Sequence, residues 1–152
     1  MSDFLQGKAM RDLFLGRKVE RATDNITTGE ELFTIAGGRV MVTGIIGEVT
    51  TIMETKTINF KLVADPTTGT STDICSNLDL SADEVGTLYT VAGNNAATAM
   101  QRGESGSVPM QTTPFAVAIG AIEATVGATH TGSIKWTLFY VPIDDGAYVE
   151  AA

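Results

Sequence analysis

One cysteine, one histidine, one tryptophan and four prolines are all that the 152 residues hold of these types. With Cys75 alone, an intrachain disulfide is impossible and a cysteine zinc cage is excluded. With His130 alone, histidine-based metal motifs are absent, and no EF-hand spacing occurs. Charged residues are only 18% of the chain, yet no run reaches the roughly 18 apolar residues that a membrane span needs. The opening MSDFLQGKAMRDLFLG carries charges where a signal peptide has its apolar region, so a soluble protein made in the cytoplasm and without a membrane partner is expected. Basic residues number ten against 18 acidic ones, and the formal charge of −8 argues against a nucleic-acid partner, because phosphate binding needs an excess of Lys and Arg.

What is plentiful is Gly, Ala, Thr and Val, within a hydrophobic share of 43%. That composition suits one β-rich core, and the length is too short for two ordinary domains. The few cations are unevenly placed: Lys8, Arg11, Arg17, Lys18 and Arg21 are half of the ten and precede residue 22. Residues 2–16 have a helical pattern, with Asp3 and Gln6 spaced as a capping box and Gly16 as a stop. Leu5, Ala9, Met10, Leu13 and Phe14 fall on one broad face of it, with Lys8, Arg11 and Asp12 opposite. A helix this short needs a surface to lie on. RKVERATDNITTGEE has no sustained period and reads as an extended polar connection, so residues 1–27 are taken as an N-terminal arm and 28–152 as the body.

In the body the period is two. EELFTIAGGRVMVTGIIGEVTT is two apolar runs joined through Gly37 and Gly38, which predicts a two-residue hairpin. In the second run the apolar residues occupy both parities, so both faces are expected to be covered, with a bulge at Gly44 or Gly47. Ile58, Phe60, Leu62 and Ala64 alternate with Asn59, Lys61 and Val63. Ile122, Ala124 and Val126 alternate with Glu123 and Thr125, and Ile134, Trp136, Leu138 and Tyr140 with Lys135, Thr137, Phe139 and Val141. About eight strands with frequent turns predict an all-β protein, an antiparallel sandwich or jelly-roll-like fold. The long stretch 92–114 reads as an interaction loop, with a short helical turn at 95–101.

No catalytic constellation emerges, so no enzyme, cofactor or metal is expected. His130, in GATHTGS, is read as an exposed turn histidine, and Cys75 as a small core residue. The pairs Glu30-Glu31, Asp83-Glu84 and Asp144-Asp145 are read as solvated, because neighbours on a strand point to opposite faces and do not converge on a substrate. In VPIDDG, Pro142 ends the last core strand and Asp-Asp-Gly turns the chain. Trp136 shares a face with Ile134 and Leu138 and is assigned to the core, whereas Tyr148 is free to contact a partner.

Three stretches, LFTIAGGRVMVTGIIGEVTT, TINFKLVADPTTGTSTDICSNLDLSADEVGTLYTVAG and GSIKWTLFYVPIDDGAYV, resemble a family of small β-rich virion proteins of tailed bacteriophages. The resemblance implies a capsid decoration or cement protein, located on the head surface, with the major capsid protein as partner and a homotrimer as the assembly. It brings no catalytic residue. Phe4, Leu5, Leu13 and Phe14, with Arg17 and Lys18, are the expected arm contacts, and Tyr148 a further one. The alternative is a receptor- or carbohydrate-binding module of a tail or head fibre, reading its ligand through Tyr148 or Tyr89.

Overall fold

The period-two stretches become strands whose apolar sides need a second sheet to cover them, and the computed structural model, which describes residues 6–152, supplies one. Helix α1 (Gly7–Phe14) is followed by β1 (Arg17–Ile26), β2 (Glu30–Ala36), β3 (Val40–Thr51), β4 (Asn59–Pro66), β5 (Thr72–Asp73) and β6 (Leu78–Asp79). Then come β7 (Leu88–Thr90), β8 (Gln101–Gly103), β9 (Phe115–Val117), β10 (Gly120–Val126), β11 (His130–Pro142) and β12 (Tyr148–Ala151). One antiparallel sheet has the order β1-β11-β3-β7-β8, with β9 also on β3. The other has the order β12-β2-β10-β4-β5, with β6 also on β4. The protein is an all-β sandwich with one short N-terminal helix. Its twelve strands among the described residues exceed the expected eight because several are only two or three residues long.

Between the sheets lie Phe33, Ile35, Phe60, Leu62 and Ile122 from one side and Val42, Ile45, Val49, Trp136 and Leu138 from the other, all at most 2% exposed. Trp136 stacks on Phe60 across the sandwich with ring centroids 5.6 Å apart and planes 14° from parallel. Gly47, paired with Trp136 in the β3/β11 ladder, leaves room for the indole: a Cβ there would lie 2.7 Å from a ring carbon. The two parities of β3 are reconciled by a register shift, since Phe139 pairs with Gly44 but Tyr140 with Val42. Val40 and Val42 before the irregularity, and Ile45 and Val49 after it, therefore face the same core.

Three local expectations are corrected. The Gly37-Gly38 pair does not close a hairpin: β2 and β3 lie in different sheets, and the chain crosses between them there. The glycines do take positive φ, +76° and +152°. Turn chemistry reported the dihedrals, not the pairing partner. Residues 17–26 are not a connection in an arm but strand β1, hydrogen-bonded along β11 from Arg17 opposite Tyr140 to Ile26 opposite His130. Its charges belong to an edge strand paired on one side only, and a register shift between Arg21 and Asp24 hides the alternation. In place of a helical turn over 95–101, residues 95–98 form a turn closed by Thr98 N–H to the Asn95 carbonyl at 3.1 Å, Ala99 bridges Ser76, and Gln101 opens β8.

Candidate functional site

Helix α1 begins after Gln6, which gives no side-chain cap, and the Asp3 half of the expected capping box lies outside the described residues. It ends where expected, with Gly16 at φ +93°. A Cβ at Gly16 would also come within 2.3 Å of the Tyr140 carbonyl oxygen, so only glycine lets the chain approach β11 here. The Thr43 hydroxyl donates to the Leu15 carbonyl and fixes the helix end beside β3.

This anchoring turns the helix the unexpected way round. Leu13 and Phe14 are 70% and 79% exposed and Met10 is exposed as well, whereas Arg11 and Asp12 are half-buried. Arg11 and Asp12 lie toward the sandwich, whereas Lys8 is exposed; together with Arg17 and Lys18 they wall a cleft of about 460 Å³ floored by Tyr140 of β11 and Val149 of β12. Lys8 pairs with Asp12 at 2.8 Å, which holds the Asp12 carboxyl below the usual carboxylate range. The Arg11 Nε is buried without a hydrogen-bond partner among the described residues.

Of the expected contact residues, Phe4 and Leu5 lie outside the described residues. Leu13 and Phe14 form the exposed apolar face, and Arg17 and Lys18 open the edge strand β1 and line the cleft. Tyr148 is exposed on β12, but strand alternation points it away from buried Val149 and hence from the cleft. The charges of this site were legible in the sequence; the burial of the helix's polar side was not.

The acidic turn after β11 is a clamp. Asp144 accepts from the Arg39 backbone N–H at 2.8 Å and from its guanidinium at 2.9 and 2.8 Å. This bidentate pairing holds the Asp144 carboxyl far below the usual carboxylate range. Gly37 and Gly38 lie against the same turn, where a Cβ would come within 2.3 Å of the Gly146 carbonyl oxygen or 2.7 Å of the Asp144 Cβ. Asp144 thus ties the sheet-crossing segment to the end of the last core strand, a role that its reading as a solvated residue missed. Glu30 is likewise engaged, by Arg21 of β1.

Asp83, expected to be solvated, is 7% exposed; it accepts from the Tyr89 hydroxyl and pairs with the Arg102 Nε at 3.1 Å. Burial raises both the Asp83 carboxyl and the Tyr89 phenol. Tyr89 is fully buried, which removes it as a surface for sugar; Trp136 and Tyr140 are buried too, leaving Tyr148 the one exposed residue among the four. Among the described residues, no group of three or more His, Cys, Asp and Glu is placed to hold a metal ion, and no helix is long and apolar enough to cross a membrane.

His130 corrects another expectation: it is 3% exposed, at the start of β11. The segment before β4 folds over it, with Glu54 accepting from Thr131 N–H at 2.6 Å and Lys56 donating to the Thr129 carbonyl at 2.7 Å. Its Nδ1 accepts from Gly132 N–H at 3.3 Å, so the neutral ring carries its proton on Nε2, which is buried without a partner among the described residues. Burial pushes the imidazole below the ordinary histidine value of 6.5, against the pull of Glu54. The folded state then binds fewer protons than the unfolded one just below that value, so stability falls as pH drops through this window. Urea midpoints are expected to decrease between neutral pH and about pH 5, and His130→Gln to flatten that slope. A slope unchanged by the substitution would contradict the assignment.

Cys75 is buried as expected, with its Sγ accepting from Leu62 N–H at 3.4 Å and burial raising the thiol pKa. A thiol reagent should therefore label it only in denaturant, and stoichiometric labelling of the native protein within seconds would rule this out.

Comparison of the chain with protein-family models, curated proteins and solved structures finds no match.

Proposed function

We propose that the protein is a structural virion protein, a capsid decoration or cement protein that binds the outer surface of a tailed-phage head. Its partner is the major capsid protein, and it acts as a trimer at local threefold positions after synthesis in the host cytoplasm. The observation that carries this reading is the outward apolar face of α1, where Leu13 and Phe14 are exposed while Arg11 and Asp12 are half-buried. An isolated helix of eight residues is marginal in water, and α1, fixed to the sandwich at its C-terminal end, leaves the apolar side of about two turns uncovered until another surface meets it. The sequence resemblance supplies the kind of surface. The sandwich behind the helix, with its close-packed core, is a rigid mount for that contact.

The mechanism is linkage. A protein that binds the mature shell more tightly than its ruptured form shifts the balance toward the intact shell by mass action. The test is the rupture temperature of undecorated shells, which is expected to rise with added protein and to level off as sites fill. A rupture temperature unmoved by saturating protein overturns the stabilising role.

A further inference from the structure

The first sheet carries opposite charge at its two edges. Beside β1 is the basic cleft, where Lys8 is neutralised by Asp12 and Lys18 by Glu20, at 2.8 Å each, leaving Arg11 and Arg17 without a carboxylate among the described residues. Across the sheet, next to edge strand β8, is an acidic hollow of about 510 Å³ lined by Asp83, Glu84 and Glu104. Arg102 pairs there with Asp83 at 3.1 Å and more loosely with Glu104 at 3.6 Å, and Glu84 has no cation among the described residues.

The two features also lie at opposite ends of the strands. Arg17 is opposite Tyr140, which pairs with Val42 near the start of β3, whereas Thr87 bonds to Val49 near its end. One chain therefore cannot bring its own two clefts together.

We infer that they meet between copies: the basic cleft beside β1 of one protomer receives the acidic β8 edge of the next. The occupant is a second copy of this chain because the same sheet carries both halves of the charge complement. Glu84 and Glu104 supply the carboxylates, and the guanidinium groups of Arg11 and Arg17, which line the cleft and form no ion pair among the described residues, are the donors suited to them. Such a contact uses two different surfaces, so it either closes into a ring or propagates. Closure at three copies rests on the trimeric reading above. The pairing leaves the apolar side of α1 free, since that side points away from the cleft.

The experiment is the solution mass of the full chain by sedimentation equilibrium, at low salt and at about 1 M salt, where the screening length falls to roughly 3 Å. The wild type is expected to be a trimer at low salt and to lose mass at high salt. R11E/R17E and E84K/E104K are each expected to run at one third of the trimer mass. The combined variant R11E/R17E/E84K/E104K should regain it, because every reversed cleft then meets a reversed edge at all three contacts; this regain also shows that the reversed faces leave the fold intact. A wild type monomeric at every salt concentration, either double variant remaining trimeric, or a folded combined variant that stays monomeric would each overturn the inference. Cosedimentation of the same proteins with shells reads decoration separately: binding with a mass insensitive to both variants sinks this contact and leaves the decoration reading intact.

Discussion

Replacing Leu13 and Phe14 together with aspartate is expected to weaken binding to undecorated shells by about 100-fold or more while leaving the urea midpoint of the free protein unchanged. Both side chains are already in solvent, 70% and 79% exposed, so the fold loses little when they go. On a shell, each would bury a side chain worth about 1.5–3 kcal/mol, and the two together give at least about 3 kcal/mol, or roughly 100-fold in Kd. A carboxylate forced into the same apolar contact adds a desolvation cost. Binding within about threefold of wild type would remove the helix from the mechanism. A truncation that asks the same question must stop before Arg17, because residues 17–20 hold the β1/β11 ladder opposite Tyr140 to Thr137.

Trp136→Ala is expected to cost about 3–5 kcal/mol, a large part of the 5–15 kcal/mol that holds an ordinary domain together. The indole is 2% exposed, stacks on Phe60 of the opposite sheet, and fills the space that Gly47 leaves open. Removing it creates a cavity between two sheets whose backbones are fixed by their ladders and cannot close on it. The converse change, Gly47→Ala, pushes a methyl into the ring and is expected to cost about 1–3 kcal/mol by overpacking. In the Trp136→Ala background that penalty should largely disappear, because the atoms it clashes with are gone. Urea denaturation of the two single variants and the double variant reads all three values. Additive losses would show that Gly47 is needed for some other reason.

Much of the sandwich was legible because its core strands alternate cleanly. The Ile134-Trp136-Leu138-Tyr140 face of β11 and the Ile58-Phe60-Leu62 series leading through β4 are buried as their spacing implies. Strand β1 was hidden because an edge strand carries charge on a ladder it does not need to bury, and its register shift breaks the period. The Gly37-Gly38 pair misled because positive φ serves a sheet crossing as well as a hairpin, and the choice depends on Asp144, more than 100 residues away. His130 sits among Gly, Thr and Ala that look like a turn, and only the fold brings Glu54 and Lys56 over it. At the candidate site the basic residues and the apolar helix face could be read directly from spacing. The orientation of α1 could not, because it is set by nonlocal contacts: Gly16 against the Tyr140 backbone and Thr43 holding Leu15.

The most direct measurement of shell binding is cosedimentation of the purified protein with undecorated shells, followed by imaging of the pellet. Saturable pelleting, with added density on the outer surface at local threefold positions, is the outcome expected of a decoration protein anchored by α1. Protein that stays in the supernatant at every concentration, and instead binds glycans in a manner lost with Tyr148→Ala, would contradict it.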